Sequence, residues 1–194
     1  MKLRIRSAAA AALLAALALA GCSKTDAGSK SATAKAAQAA ALTGYVHHVT
    51  DDVFGYYMPD KDYRAGKFVF RNMSLGGVDD FTAYEGGKNA EKNFAPFMLE
   101  FDDTTSKQAT NELGGTFYKN APRVLPTAYK VTKTTLAFAG TDKQLGAVAF
   151  TGTLDLPALK AAQNGNDKAV VATGDLSFAG KTFKNVKFTW FGGD

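Results

Sequence analysis

Short stretches in which apolar and polar residues alternate, separated by glycines, cover the chain from Tyr45 onward. Alternation with a period of two places successive side chains on opposite faces of a β-strand, so the pattern predicts antiparallel β structure. We predict seven strands, at Lys67–Arg71, Pro96–Phe101, Thr116–Val124, Tyr129–Ala139, Gly146–Leu156, Ala169–Phe178 and Lys181–Phe191. Less regular patterns predict one or two more strands within Tyr45–Tyr57 and another at Val78–Tyr84.

One helix is predicted at Leu156–Gln163, because Pro157 suits the first turn of a helix and Asn164-Gly165 ends it. Seven to nine short strands and one short helix predict a mainly β fold. We expect either an antiparallel barrel of eight strands, calycin-like in size, or a two-layer sandwich. Pairing of the first strand with the last would remove exposed edges and favours the barrel, which has room for a side-chain core or one small ligand.

A repeated pattern supports the β interpretation of the C-terminal half. The segments Leu136–Gly140 and Leu176–Gly180 have similar sequences, and each is followed by a second alternating stretch. Strand, glycine-bearing turn and strand is the pattern of a β-hairpin. In the second unit Phe183 and Val186 fall on opposite phases of the alternation, so we expect a bulge or turn near Lys184-Asn185.

The first 21 residues have the pattern of an export signal. Three basic residues, Lys2, Arg4 and Arg6, precede an apolar run from Ala8 to Ala20. That run has 13 residues. A membrane-spanning helix needs about 20, so the run is too short to be one.

The residues Leu19-Ala20-Gly21-Cys22 resemble the lipobox of bacterial lipoproteins. This resemblance implies that the signal is removed before Cys22 and that the cysteine sulfur and the new amino terminus are acylated, for example with palmitate. Two or three acyl chains hold a protein durably on a membrane. In Gram-negative lipoproteins Asp after the cysteine retains the protein in the inner membrane. The resemblance, with Ser23 at that place, therefore implies the outer membrane, with the domain facing the periplasm.

A change in composition divides the chain into three parts. Residues 1–21 form the predicted signal peptide, and residues 22–44 form the lipidated cysteine and a flexible tether rich in Ala, Ser and Lys. All 14 Phe, all seven Tyr and the one Trp lie in residues 45–194. We predict a single β domain there, since its length suits one hydrophobic core.

Charge and cysteine content exclude several classes of function for this domain. Of the 23 basic residues in the chain, three lie in the signal and three in the tether, which leaves 17 in the domain against 17 acidic residues. A near-neutral domain gives no support to nucleic-acid binding, which needs a basic face. The domain has no cysteine, which excludes disulfides, thiol nucleophiles and cysteine-ligated metals there.

His47 and His48 are the only histidines of the chain, and Asp51-Asp52 follows closely. A hydrolase that uses one histidine with a neighbouring aspartate is therefore one hypothesis. Adjacent residues on a strand point to opposite faces, so both imidazoles would reach one metal only if the backbone turned there. Two polar rings at the end of a surface strand are the alternative that we favour.

The segment around Asp102-Asp103 is rich in oxygen ligands that suit calcium, but it lacks the spacing of a calcium loop. Aspartates at strand ends commonly accept backbone hydrogen bonds in turns. The chain has no glycine-rich phosphate loop, nucleophile elbow or zinc-binding helix motif. We therefore predict no catalytic residue, no metal site and no cofactor.

An aromatic segment offers the best candidate for a binding surface, and its members are Phe54, Tyr56, Tyr57 and Tyr63. Tyrosine combines an apolar ring with a hydroxyl group and is favoured where one side binds while the other stays wet. The alternative is that these rings fill the core of a small β domain.

These observations predict a lipid-anchored envelope protein that binds a small apolar ligand or a protein partner and performs no catalysis. Three alternatives stay open at this point. The protein is an assembly or structural subunit of the envelope, an inhibitor or immunity lipoprotein, or a hydrolase that uses His47 or His48.

Overall fold

The structure is a computed structural model that describes residues 42–88 and 93–193. The predicted signal peptide, Cys22 and nearly all of the predicted tether lie outside these residues. Two helices are described, α1 (Val78–Glu85) and α2 (Leu156–Gln163). The described strands are β1 (Tyr45–His48), β2 (Gly55–Pro59), β3 (Tyr63–Ala65), β4 (Phe68–Leu75), β5 (Phe97–Asp103), β6 (Gln108–Thr110), β7 (Thr116–Tyr118), β8 (Arg123–Val124), β9 (Pro126–Thr132), β10 (Leu136–Asp142), β11 (Gly146–Leu154), β12 (Ala172–Phe178) and β13 (Lys181–Phe191).

The prediction of a mainly β fold is confirmed. Ten strands form one curled sheet of half-barrel shape, in the order β1-β9-β10-β11-β12-β13-β2-β4-β5-β8. β3 pairs with β4 beside this path, and β6 and β7 form a separate hairpin. All pairings are antiparallel except that of β1 with β9.

Three details of the predicted architecture are corrected. The sheet has more strands than the seven to nine expected, because the N-terminal half folds into many short ones. The described chain also has a second helix. The first and last strands do not pair with each other, since β1 lies against β9 and β13 lies against β2.

The C-terminal half agrees closely with the prediction. β9 to β13 pair in chain order, and β13 and α2 have the predicted bounds. The expected bulge is confirmed, because Lys184 and Asn185 together lie opposite Asp175 alone. The Asp175 carboxylate accepts hydrogen bonds from the Asn185 backbone N–H at 3.1 Å and from the Lys184 ammonium at 3.0 Å. These contacts hold the extra residue in place.

Two predicted strands are divided in the structure. Tyr129–Ala139 belongs to a hairpin of β9 and β10. In its turn the Thr132 hydroxyl oxygen accepts a hydrogen bond from the Thr135 backbone N–H at 3.0 Å. Thr116–Val124 is split between β7, in the separate hairpin, and β8, at one end of the sheet. Four polar residues in a row, Thr132 to Thr135, interrupt the alternation at the first turn, and Pro122 interrupts it between β7 and β8, so both breaks were visible in the sequence.

The strand predicted at Val78–Tyr84 is wrong, because this segment forms α1. The Asp80 carboxylate accepts the Gly77 backbone N–H at 2.8 Å at the start of the helix. Acidic side chains in a first turn also favour helix, because the amino end carries a partial positive charge. Phe81 is buried in the core, and its ring lies 5.5 Å from that of Tyr129.

Aromatic rings fill the inner face of the curled sheet. The ring centroids of Phe101 and Phe178 are 4.9 Å apart, and Phe188 packs edge-on against Phe70 at 6.0 Å and Phe150 at 5.4 Å. Each fully buried ring of this kind contributes about 1.5–3 kcal/mol through the hydrophobic effect. β13 thus joins the two halves of the sheet through one packed core.

Candidate functional site

A bulge in β4 turns polar side chains away from the core. Phe70 points inward, and regular alternation would send Asn72 and Ser74 the same way. The register with β5 shifts between Phe70 and Asn72, which makes Arg71 an extra residue. Beyond the bulge Met73 occupies the core instead, so Asn72 and Ser74 lie on the outer face of the sheet.

Two rows of side chains cross this outer face, since residues directly opposite in an antiparallel ladder share a face. The first row consists of Phe191, Tyr56, Ser74 and Met98, on β13, β2, β4 and β5. The second row consists of Asn72, Glu100 and Arg123, on β4, β5 and β8. A mainly apolar row, in which Ser74 is the one polar residue, therefore runs beside a polar row.

Glu100 is the centre of the polar row and is only 8% exposed. Its Oε1 accepts a hydrogen bond from the Arg123 Nε at 2.7 Å. Its Oε2 lies 3.8 Å from an Arg71 guanidinium nitrogen and 3.5 Å from the Asn72 Nδ2. Both arginine side chains are about half exposed, so they cover the carboxylate while they keep contact with solvent.

We call Asn72, Ser74, Glu100 and Arg123 together the polar floor. Two of its atoms, the Asn72 Oδ1 and the Ser74 Oγ, have no hydrogen-bond partner in the described part of the chain. Asn72 is 4% exposed and Ser74 is 8% exposed. A carboxylate can only accept, so the Asn72 nitrogen faces Glu100 and the Asn72 oxygen is the unpaired atom. An unpaired buried polar group costs about 1–3 kcal/mol, which a ligand with suitable groups would recover.

The charges around this floor nearly balance. Asp102 follows Glu100 by two residues on β5 and so lies on the same face. Burial raises the pKa of the Asp102 carboxyl, Arg71 opposes that rise, and the Glu100 carboxylate adds to it. Asp102 acts from beside the site, whose own charged lining residues are Arg71 and Arg123 against Glu100 and Asp80, so neither sign of charge dominates.

Apolar side chains stand beside the polar floor. Phe54, Tyr56, Met58 and Phe191 are between 37% and 48% exposed, although all are large and hydrophobic. They border a depression of about 620 Å³, and a second depression of about 350 Å³ adjoins it. Four residues line both depressions, namely Phe54, Tyr56, Glu100 and Arg123. We call the two together the outer groove.

The wall of the outer groove at Phe54 is held firmly. The Trp190 indole Nε1 donates a hydrogen bond to the Phe54 carbonyl at 2.8 Å, and the Asp52 carboxylate accepts the Phe54 backbone N–H at 3.0 Å. Gly55 has φ +135°, and any larger residue there would collide with the Trp190 indole. The groove therefore has a preformed edge.

The predicted aromatic surface is divided by the structure. Phe54 and Tyr56 lie in the outer groove, whereas Tyr57 and Tyr63 are buried in the core. The Tyr57 hydroxyl donates to the Val53 carbonyl at 2.9 Å, and burial raises its pKa. Burial and a 2.7 Å hydrogen bond to Asp60 raise the pKa of Tyr63 to about 12. For these two residues the core alternative describes the observed position.

Sequence reasoning missed the polar floor and one wall of the groove. Asn72, Ser74, Glu100 and Arg123 belong to no recognisable motif. The signal that could have found them is the phase change in β4 between Phe68–Phe70 and Met73–Leu75, which indicates a bulge. Phe191 was within a predicted strand, but only its pairing with β2 brings it to Tyr56.

The two histidines are not brought together. The His47 ring stacks on Phe81 at 4.1 Å, and burial lowers its pKa while the nearby Glu85 opposes this. His48 is exposed at the end of β1. Neither histidine forms a hydrogen bond to a carboxylate within the described residues, where Asp51 instead pairs with Lys160 at 2.8 Å.

Asp103 serves the turn after β5. Its carboxylate accepts hydrogen bonds from Lys67 at 2.7 Å, from Asn120 at 2.9 Å and from the Thr105 hydroxyl at 2.6 Å. These donors hold the pKa of Asp103 well below its usual range. Across the described ranges no three His, Cys, Asp or Glu side chains are grouped so that they could hold a metal ion.

Comparison of the chain with protein-family models, with curated proteins and with solved structures found no match. No helix in residues 42–88 or 93–193 is both long and apolar enough to cross a membrane. What the groove does must therefore be argued from its own side chains.

Proposed function

We propose that this protein is an outer-membrane lipoprotein that faces the periplasm and binds a small ligand in its outer groove without catalysis. The observation that carries the proposal is the combination of exposed aromatic walls with a buried floor in which two atoms, the Asn72 Oδ1 and the Ser74 Oγ, lack partners. Sites for small molecules commonly join apolar walls with a few polar groups that orient the ligand. The lipobox-like residues Leu19–Cys22 support the anchor.

We assign the ligand to the outer groove and not to the inside of the curled sheet. Large side chains with less than 2% exposure occupy the inside, among them Tyr129, Phe138 and Phe150. A cargo there would have to displace packed aromatic rings, and cores of this density tolerate added volume poorly. The groove already has the size of a ligand site.

A protein partner is the second candidate, and the hairpin of β6 and β7 favours it. Leu113, in the turn between these strands, is 92% exposed, and Phe117 on β7 is also exposed. An apolar residue at the tip of a projecting hairpin suits insertion into another protein, as an inhibitor or immunity lipoprotein requires. This surface is distinct from the outer groove.

Native mass spectrometry of the full processed protein, purified gently from membranes, tests the ligand proposal. We expect extra mass on the wild type and on Phe117→Ala, and its loss from the double variant Phe54→Ala, Tyr56→Ala. Phe117 is the matched control because it is an exposed aromatic residue outside the groove. Extra mass that persists in the double variant, or that is absent from the wild type, would count against the groove as a ligand site.

The anchor is tested separately by Cys22→Ser. We expect this variant to be unacylated and released from the membrane fraction as soluble or unprocessed protein. Ser23→Ala is the neighbouring control and should remain anchored. Membrane fractionation with mass analysis of the amino-terminal peptide distinguishes the two. Continued acylated anchoring of Cys22→Ser would overturn the lipoprotein assignment.

A further inference from the structure

We propose that the outer groove binds a neutral oligosaccharide, and this inference rests on the proposed function of the groove. Its starting point is the pair of unpartnered buried atoms, the Asn72 Oδ1 and the Ser74 Oγ. The first can only accept a hydrogen bond, so it suits a ligand group that donates. The second can donate or accept, so it suits a group that does both.

Charge gives no ionic head an advantage at these atoms. Glu100 is already paired with Arg71 and Arg123, so an ammonium group or a carboxylate placed at the floor would meet one attractive and one repulsive sign of charge. A hydroxyl is the neutral group that both donates and accepts. The floor therefore fits a molecule that carries several hydroxyls.

The spacing of the floor favours several hydroxyls on one rigid frame. Asn72 and Ser74 are two residues apart on one face of β4, which separates their side chains by about 7 Å. Glu100 and Arg123 continue from Asn72 across β5 and β8. The half-exposed Arg123 uses its Nε for Glu100, and its planar guanidinium keeps two adjacent nitrogen donors, which match vicinal hydroxyls on a sugar ring.

The aromatic walls suit the other side of a sugar. A pyranose ring has a face of C–H groups, and the negative face of an aromatic ring attracts such weakly positive hydrogens. Tyr56 and Phe191 provide rings whose centroids are 6.3 Å apart at an angle of 34°, with Phe54 close by in the same lining. A plain hydrocarbon would also contact these rings, but it would form no hydrogen bond at the floor, so a hydroxyl-bearing ligand gains more there.

Saturation-transfer NMR and calorimetry on the full processed protein test this inference, in a detergent that has no sugar headgroup. The probes are maltotriose, chitotriose and the apolar anion anilinonaphthalene sulfonate. We expect at least one oligosaccharide to bind, and roughly tenfold or greater weakening in Tyr56→Ala and Asn72→Leu. Phe117→Ala should bind as the wild type does. If Asn72→Leu does not fold by circular dichroism, Ser74→Ala replaces it.

The outcomes separate this inference from the proposed function. Oligosaccharide binding that depends on Tyr56 and Asn72 supports both. Binding of the naphthalene probe alone, lost in Tyr56→Ala, overturns the sugar assignment and leaves the groove as a ligand site. No binding that depends on groove residues, for any of the three probes, overturns both. Equal weakening in Phe117→Ala overturns the sugar assignment as well, because the effect would then be unspecific.

Discussion

The outer faces of two parts of the same sheet differ sharply. On β11 and β12 the outward residues are mostly small, such as Ala149, Thr151 and Ser177, and we call this the plain face, although it holds one buried charge, Asp175, which pairs with Lys184. On β13, β2, β4 and β5 the corresponding positions carry aromatic and charged residues, with the buried Glu100 among them. Strand alternation is the same in both parts, so the groove comes from the size and charge of the outward side chains and from one bulge.

The inner faces show the opposite relation, because a single aromatic core supports both parts. Phe188 on β13 contacts Phe70 below the groove and Phe150 below the plain face. Damage to the core should therefore affect both parts, whereas damage to the outer face should stay local. This difference can be tested from the largest effect to the smallest.

Phe188→Ala should destabilise the whole domain. The ring is fully buried between the two parts of the sheet, and its loss leaves a cavity, so we expect the free energy of unfolding to fall by about 3–5 kcal/mol. Denaturant unfolding followed by the fluorescence of Trp190 measures this. The control is Phe191→Ala on the same strand, which is half exposed and should change stability by about 0.5 kcal/mol or less. Equal losses in both variants would contradict the assignment of the two faces.

Gly174→Ala should damage the plain part of the sheet. A Cβ on Gly174 would lie 2.6 Å from the Phe150 ring and 2.6 Å from the Thr151 carbonyl oxygen, too close for either. We expect a loss of about 1–3 kcal/mol from overpacking, measured by denaturant unfolding. Ser177→Ala on the same strand is the control and should be near neutral. A neutral Gly174→Ala would show that Phe150 moves aside freely.

Glu100→Gln should affect the groove and leave the plain face unchanged. It weakens the contact with the half-exposed Arg123, for which we expect a loss of about 1 kcal/mol of stability. It should also lower the pKa of Asp102, since the Glu100 charge raises that pKa. NMR titration of the Asp102 carboxyl measures the shift, with the exposed Glu112→Gln as control. An unchanged Asp102 pKa would contradict the electrostatic coupling.

Asp103→Asn should change neither the groove nor the plain face, because Asp103 lies in the turn after β5. Its effect should appear only in the pH dependence of stability. Lys67, Thr105 and Asn120 depress the pKa of Asp103 in the folded state. Its contribution to stability is therefore present above the ordinary aspartate pKa and is lost as pH falls toward the folded-state pKa. Asp103→Asn should flatten this acid dependence in unfolding measurements, while the exposed Asp167→Asn should keep it. A similar slope in both variants would disprove the role of Asp103.

The success of sequence reasoning differed between the two parts for a physical reason. In the C-terminal half the strands are long and their pairings are local hairpins, so alternation located β13 and the bulge at Lys184-Asn185, while Pro157 and Asn164-Gly165 located α2. In the N-terminal half the strands are short, and the strand predicted at Val78–Tyr84 overlooked that Val78, Phe81 and Tyr84 recur every three residues, a spacing that favours helix. Local patterns predict poorly where short elements depend on distant partners.

The residues of the candidate site were also only partly predictable from the sequence. The aromatic segment was found from its composition, and Phe54 and Tyr56 do line the groove. Composition could not distinguish Tyr56, which faces outward, from Tyr57, which lies in the core. Alternation separates the two onto opposite faces without saying which face is buried.

The sequence by itself determined the mainly β class, the near-neutral charge, most of the strands of the C-terminal half and the aromatic content of the core. Only the tertiary structure decided that Asn72 and Ser74 face outward and that Glu100 meets Arg123. The physical reason is that composition and period act along the chain, whereas a floor made from β4, β5 and β8 exists only through pairing between strands. The strand register and the one extra residue at Arg71 place Asn72 and Ser74 on the outer face, where they form part of the groove.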